Sequence, residues 1–325
     1  MEFQTQVQDS RHSLSMPNLP GGVLSALPPE KGGSGGGMGG RAGGGDDRSQ
    51  APIGIFDSGV GGVTVLQELT RQLPQESVIY FADTARLPYG TRSPQEILQF
   101  VEEILGWMAE KSVKMVIMAC NTSSALALDA VQGAFPFPVL GLILPGAQAA
   151  AYPGQRIGVI ATPATVASAA YPQAIQESNP QAQIWQVACP QFVPLIENNQ
   201  IHSPEMRQVA EEYLAPLVKE RIDTLIYGCT HYPHLAPVFR QILPPTVRLV
   251  NPAVHVVAAA AQELDALGLR RTGPAAPTQF YTSGPGETFA TIAAQWLGSR
   301  PQVTTLPLEV LRSHGRSLST IAQAS

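Results

Sequence analysis

The chain has 325 residues, 44% hydrophobic and 14% charged, enough for one large or two ordinary domains with substantial cores. A formal net charge of −5 without any basic run argues against a nucleic-acid partner, and no apolar stretch approaches the roughly 18 residues of a membrane span. No charged-then-apolar leader pattern opens the chain, so a cytoplasmic protein with no membrane partner is expected.

Residues 1–50 read as a disordered tail. They contain GGSGGGMGGRAGGGDD and almost no periodic apolar residues, too little burial to offset the entropy of ordering. Met16 and Met38 inside this tail are alternative start positions. From Pro52 the composition changes. Strands are expected at Ile53 to Phe56, Ser77 to Ala82, Val113 to Ala119 and Pro138 to Gly141, with helical patterns over 61–72, 94–111 and 122–134. This βαβα rhythm predicts a parallel sheet covered by helices on both faces.

The rhythm then repeats. Arg156 to Ile160 echoes the first strand, Gln183 to Ala188 the second and Ile222 to Gly228 the third, at offsets of about 104, 106 and 109 residues. The expected fold is α/β: two similar parallel-sheet domains related by a pseudo-two-fold axis, with the active site in the cleft between them. The first domain takes 51–146 plus 258–304 and the second 147–257. A helix over Val254 to Leu267 and a strand over Gln279 to Thr282 return the chain to the first domain, and 305–325 is left as a C-terminal tail.

In open parallel sheets, ligands bind beyond the carboxyl ends of the strands. Four motifs fall there: Asp57 to Gly62, Ala119 to Ser124, Ala161 to Thr165 and Gly228 to Pro233. Each joins a strand to a helix start, where free N–H groups favour a carboxylate. DSGVGG is not GxGxxG, so a phosphate loop is not expected.

Cys120 and Cys229 hold equivalent places in the repeat, each followed closely by a threonine, Thr122 or Thr230. A single strand-end cysteine is usually a small buried apolar residue. A symmetric pair facing across a pseudo-two-fold axis instead supplies two bases on opposite faces of one carbon, which is what a two-base racemase needs. Cys189 has no cysteine counterpart and reads as core. Three cysteines are too few for a disulfide framework, and no Cys/His spacing fits a metal. His231 lies within reach of Cys229 or of a neighbouring carboxylate, and Asp57 with Ser58 opens the first turn, where it reads equally as a helix cap. None of Lys31, Lys111, Lys114 and Lys219 falls in a strand-end motif. Pyridoxal phosphate would require such a lysine, so no cofactor is expected.

On these motifs the chain resembles the glutamate racemases, within the aspartate/glutamate racemase superfamily. The likeness covers roughly residues 52–300 through GIFDSGVGG, YFADTARLPYGTRS, ACNTSSALAL, GVIATPATVAS and YGCTHYPHL, in that order. It implies an isomerase that interconverts L- and D-glutamate without a cofactor and supplies D-glutamate for peptidoglycan in a bacterial cytoplasm. A small-molecule substrate and a homodimer are implied with it. By the same likeness, Cys120 takes the proton from D-glutamate and Cys229 from L-glutamate. Asp57 and His231 assist the adjacent thiols, and Glu197 supports the histidine. Asp57, Ser58, Tyr89, Gly90, Asn121, Thr122, Thr162, Thr230 and His231 are the implied substrate contacts. The family often carries Thr-Ala or Thr-Met where this chain has Thr122-Ser123, and the Gly-rich N-terminus lies outside its pattern.

Glutamate over aspartate rests on the resemblance, because one methylene is worth only about 1–3 kcal/mol in a pocket. On the residues alone, three rivals stay open. They are an aspartate racemase or related thiol isomerase, a non-catalytic two-lobed binding or regulatory protein, and a redox protein that joins Cys120 to Cys229.

Overall fold

A computed structural model describes residues 48–315. The glycine-rich tail up to 47, and the C-terminal tail from 316, lie outside the described residues. The described residues form one contact unit that holds two sheets.

The first sheet is entered through β1 (Ile53–Asp57), α1 (Val63–Gln72), β2 (Val78–Ala82), α2 (Pro94–Glu110), β3 (Met115–Met118), α3 (Asn121–Val131), β4 (Val139–Gly141) and α4 (Ile143–Ala151). The second follows as β5 (Arg156–Ala161), α5 (Pro163–Ala167), α6 (Ala170–Ser178), β6 (Gln183–Ala188), α7 (Phe192–Glu197), α8 (Pro204–Lys219), β7 (Thr224–Gly228), α9 (Ala236–Ile242) and β8 (Arg248–Val250). The chain then continues through α10 (Pro252–Ala266), β9 (Gln279–Thr282), α11 (Gly286–Leu297), β10 (Val303–Thr305) and α12 (Leu308–His314).

Strand order is β10-β9-β2-β1-β3-β4 in the first sheet and β6-β5-β7-β8 in the second. The pairings are parallel throughout. The four-strand unit β2-β1-β3-β4 therefore recurs as β6-β5-β7-β8, and β9 and β10 extend only the first. Register repeats as well: Ile53 pairs with Val78 and Met115, and Ile157 pairs with Ile184 and Thr224.

The helices that cover the sheets repeat their end chemistry. Ser93 before Pro94 caps α2 by accepting the Glu96 N–H at 3.3 Å, and Ser203 before Pro204 caps α8 by accepting the Met206 N–H at 3.0 Å. Proline suits the first helical turn because its missing N–H would have no intrahelical partner there. Both helices end on a left-handed non-glycine residue, Ser112 (φ 52°) and Arg221 (φ 53°), which turns the chain back into β3 and β7.

The central strands are apolar on both faces, as a doubly covered parallel sheet requires. In the first sheet, Ile53, Ile55 and Tyr80 pack under α1 and α10, whereas Phe56, Ile79 and Phe81 pack under α2. Gly54 faces α2 so closely that a Cβ would lie 2.7 Å from Met108 Sδ, and at Gly158 a Cβ would lie 3.2 Å from Leu217 of α8. In each order the chain reverses direction across the sheet between the first and third strands, β1/β3 and β5/β7. That switch point is where the loops part and leave a crevice at the strand ends.

Among the described residues, no helix is long and apolar enough to cross a membrane. Past Thr305, α12 lies against α2: Leu311 is fully buried, and His314 Nε2 approaches Glu110 at 2.9 Å. This contact is built like core, with Leu311 packed among the apolar residues of α2. Leu311→Ala is therefore expected to lower stability by about 2–5 kcal/mol, read as a shift in the urea midpoint at constant m-value.

Candidate active site

The two switch points open onto one cavity of about 390 Å³, within the range of small-molecule sites. From the first sheet it receives Asp57 and Ser58 (end of β1), Tyr89 and Gly90 (the loop after β2), and Cys120, Asn121 and Thr122 (after β3). From the second it receives Thr162 (after β5), Glu197 (end of α7) and Cys229, Thr230 and His231 (after β7). All the residues singled out in the sequence thus meet in one place.

Asp57 is shaped by its own turn. Its carboxylate accepts the Ser58 N–H at 2.8 Å and the Gly62 N–H, and a Cβ on Gly62 would fall 2.7 Å from the Asp57 Cβ. Burial pushes its pKa up, against the opposing pull of the His231 charge and the two N–H groups. Cys120 lies across from it, with Sγ 3.9 Å from Ser58 Oγ. Burial, followed by the Asp57 charge, pushes this thiol up to about 12. A carboxyl whose pKa is raised by burial therefore stands next to a thiol that resists losing its proton.

Cys229 meets the opposite environment. His231 Nδ1 is 3.6 Å from its Sγ, and His231 Nε2 is 3.0 Å from Glu197 Oε1. Burial alone would lower the His231 pKa. The hydrogen bonds to Cys229 and Glu197 outweigh it and raise the pKa to about 10. At neutral pH the ring is an imidazolium that donates to sulfur on one side and to carboxylate on the other.

Hydrogen bonds across the cleft hold both thiol loops. Thr64 on α1 donates to the Thr230 carbonyl at 3.2 Å, and Thr230 Oγ1 reaches Asp57 Oδ2 at 3.5 Å. On the Cys120 side, Thr122 Oγ1 lies 3.0 Å from Thr162 Oγ1 and 3.2 Å from Thr165 Oγ1. Tyr89 is tied back to Asp83, which also accepts from Ser283 Oγ at 2.7 Å, and a Cβ on Gly90 would come within 2.9 Å of Thr162. Burial, then the Asp83 charge, keeps Tyr89 a phenol.

Among the described residues, no lysine or arginine lines the cavity. Lys114 is buried at the opposite edge of the first sheet, paired with Glu76 at 2.6 Å. Hydroxyls, amides, the N–H groups at the start of α3 and the His231 ring are the groups that can hold an anion here.

Sequence reasoning missed a second part of the wall: Leu87 and Pro88, Val193 and Pro194, and Cys189. Cys189 is indeed core, packed with Phe192 and Tyr232, yet one face reaches the cavity. It ends β6, the counterpart of β2, and occupies the place that Asp83 holds in the first sheet. That equivalence was visible in the repeat. The apolar wall was not, because α7 is a single short turn with no periodicity. All three cysteines are free.

The family model described as Asp/Glu/Hydantoin racemase matches residues 53–264. A glutamate racemase of Rippkaea orientalis is 64% identical over 262 residues, 80% of this chain and 93% of that protein. Among solved structures, glutamate racemase isoform RacE1 of Bacillus anthracis has a TM-score of 0.78 and 37% identity over 80% of this chain and 98% of that one. The glutamate racemase of Francisella tularensis, solved with D-glutamate, has a TM-score of 0.75 and 34% identity over 84% and 99%.

The unequal surroundings of the two thiols predict unequal reactivity. A cationic donor faces Cys229, whereas the nearest charge to Cys120 is a carboxylate. At pH 7.5, iodoacetamide is expected to label Cys229 roughly tenfold faster than Cys120, as followed by peptide mass spectrometry. His231→Asn should narrow the difference by slowing Cys229; equal rates in the unmodified protein would refute this picture.

Proposed function

The chain belongs to the Asp/Glu/hydantoin racemase family, and from that premise we propose that it is a glutamate racemase. It is an isomerase that moves the α-proton between L- and D-glutamate with no cofactor. One observation carries this reading: two thiols at equivalent strand ends of two like-ordered sheets share one cavity, each with its own proton partner. The glutamate racemase names of the relatives support the choice of substrate.

With L-glutamate bound, the Cys229 thiolate takes the α-proton, forming an S–H bond and leaving the C–H electron pair on Cα. The Cys120 thiol then gives its proton to the opposite face. Once product leaves, the Cys120 thiolate regains a proton from solvent and the Cys229 thiol gives one up, which restores the starting state, and Asp57 beside Cys120 assists that exchange. In the reverse direction the thiols exchange roles. His231 stabilises the Cys229 thiolate before the proton arrives, and Glu197 keeps the ring charged and oriented. The carboxylates and ammonium of the substrate are held by Ser58, Thr122, Thr162, Thr230 and the Asn121 amide, with Tyr89 and Gly90 closing the cavity from the side. We assign this activity to the cytoplasm, to supply D-glutamate for peptidoglycan, and the likeness to the family extends to a homodimer.

Solvent deuterium incorporation at Cα, followed by NMR with either enantiomer and no added cofactor, tests the reading. Wild type should exchange and racemise, and Cys120→Ser and Cys229→Ser should each lose roughly 1,000-fold or more. Exchange with aspartate but not glutamate would move the substrate and keep the chemistry. No exchange with either would end the proposal.

A pH profile separates the role of Glu197. The pKa of His231 is raised, so its charge is intact at neutral pH and is lost as pH rises through about 10. Glu197→Gln keeps an acceptor for Nε2 but removes the negative charge that helps to raise that pKa. The alkaline arm of kcat/KM for L-glutamate should therefore move down by roughly one pH unit. An unmoved arm would assign Glu197 to packing alone.

A further inference from the structure

We propose that Tyr171 is a positioning residue that fixes which end of the Asn121 side-chain amide faces the substrate. The inference rests on the reading above, in which Asn121 binds glutamate.

Tyr171 stands on α6, in the second sheet's half of the fold, and is fully buried. Its hydroxyl crosses the cleft and donates to Asn121 Oδ1 at 2.7 Å. Asn121 is the first residue of α3, next to Cys120, and lines the cavity. The Tyr171 hydroxyl makes no other hydrogen bond among the described residues, so its proton has one acceptor. Were the amide turned around, two N–H groups would meet that hydroxyl, and its proton would be stranded in a dry site. A buried donor without a partner is costly. The tyrosine therefore holds Oδ1 toward itself and leaves Nδ2, which has no partner among the described residues, as a donor available to the cavity. Burial pushes the Tyr171 pKa up, which keeps the hydroxyl protonated and able to donate.

The surroundings fix the tyrosine in turn. A Cβ on Gly146 of α4 would lie 3.5 Å from its Oη, and a Cβ on Gly228 would lie 3.3 Å from its Cε2. Gly228 directly precedes Cys229. The same ring thus packs beneath one thiol loop and orients the residue beside the other thiol. The direction of this amide decides whether a substrate group reaching Asn121 meets a donor or an acceptor there.

The test is a double-mutant cycle with steady-state kinetics in both directions, using wild type, Tyr171→Phe, Asn121→Ala and the double variant. Tyr171→Phe should raise KM for both enantiomers roughly three- to tenfold, the worth of one neutral hydrogen bond, with kcat changed much less. In the Asn121→Ala background, removing the hydroxyl should add nothing, because no amide remains to orient. An unchanged KM in Tyr171→Phe, or multiplying effects in the double variant, would overturn the inference. Should Tyr171→Phe fail to fold, Asn121→Asp decides. It keeps an acceptor for Tyr171 but presents oxygen in place of the donor, so its KM should exceed that of Asn121→Ala, and a KM near wild type would overturn the inference. If wild type itself does not act on glutamate, it is the proposed function that falls.

Discussion

The site depends on a polar seam between two sheets that have little else in common at their facing edges. Each thiol loop is held from the opposite side of the cleft: the Cys229 loop by Thr64 and Asp57, the Cys120 loop by Thr162, Thr165 and Tyr171. Neither half can place its own cysteine alone. The seam is also tight. At Gly61 a Cβ would fall 2.5 Å from His231 Nδ1, so glycine is required there because the backbone of the first half runs directly against the histidine of the second. Positional precision of this kind, supplied by buried hydrogen bonds, is what catalysis by two opposed bases demands.

Within the seam the two thiols are electrostatically unlike. A charge of opposite sign within a few ångströms favours ionisation, and a like charge or burial opposes it. Cys120 experiences burial and a carboxylate, and is pushed up to about 12. Cys229 has the imidazolium of His231, itself held by Glu197. Cys120 thus resists giving up its proton, whereas Cys229 has a hydrogen-bonding imidazole beside it.

Much of this was legible in the sequence because strand patterns and offsets carry register. The offsets of about 104, 106 and 109 residues align Ile53 with Ile157, Val78 with Ile184 and Met115 with Thr224, and these residues pair in the same way in both sheets. The strand-end motifs were legible for the same reason, since parallel topology sends every such end to one edge. β8 and β10 left little trace, being three residues long with half-exposed faces. α12 gave no signal either, because a single buried leucine does not make a pattern. Tyr171 was invisible in a different sense. An aromatic on a helix reads as core, and only the tertiary structure brings its hydroxyl to Asn121.

The pseudo-symmetry is broken where the proposed chemistry requires it. Enantiomers have equal free energy in water, so a racemase has an equilibrium constant of one and the same kcat/KM in both directions, however unlike its two bases are. The scaffold matches Cys120 with Cys229, but sets Asp57 against Ala161, Asn121 against Thr230 and Thr122 against His231. A substrate with one ammonium and two carboxylates has no two-fold axis, and its polar groups must stay put while only the hydrogen changes side. Symmetric thiols satisfy the moving proton, and asymmetric neighbours satisfy the stationary charges. Making the loops more alike would therefore strengthen the repeat and weaken the site: replacing His231 by a second threonine would restore the likeness to Thr122 and leave Cys229 without the cation that readies it.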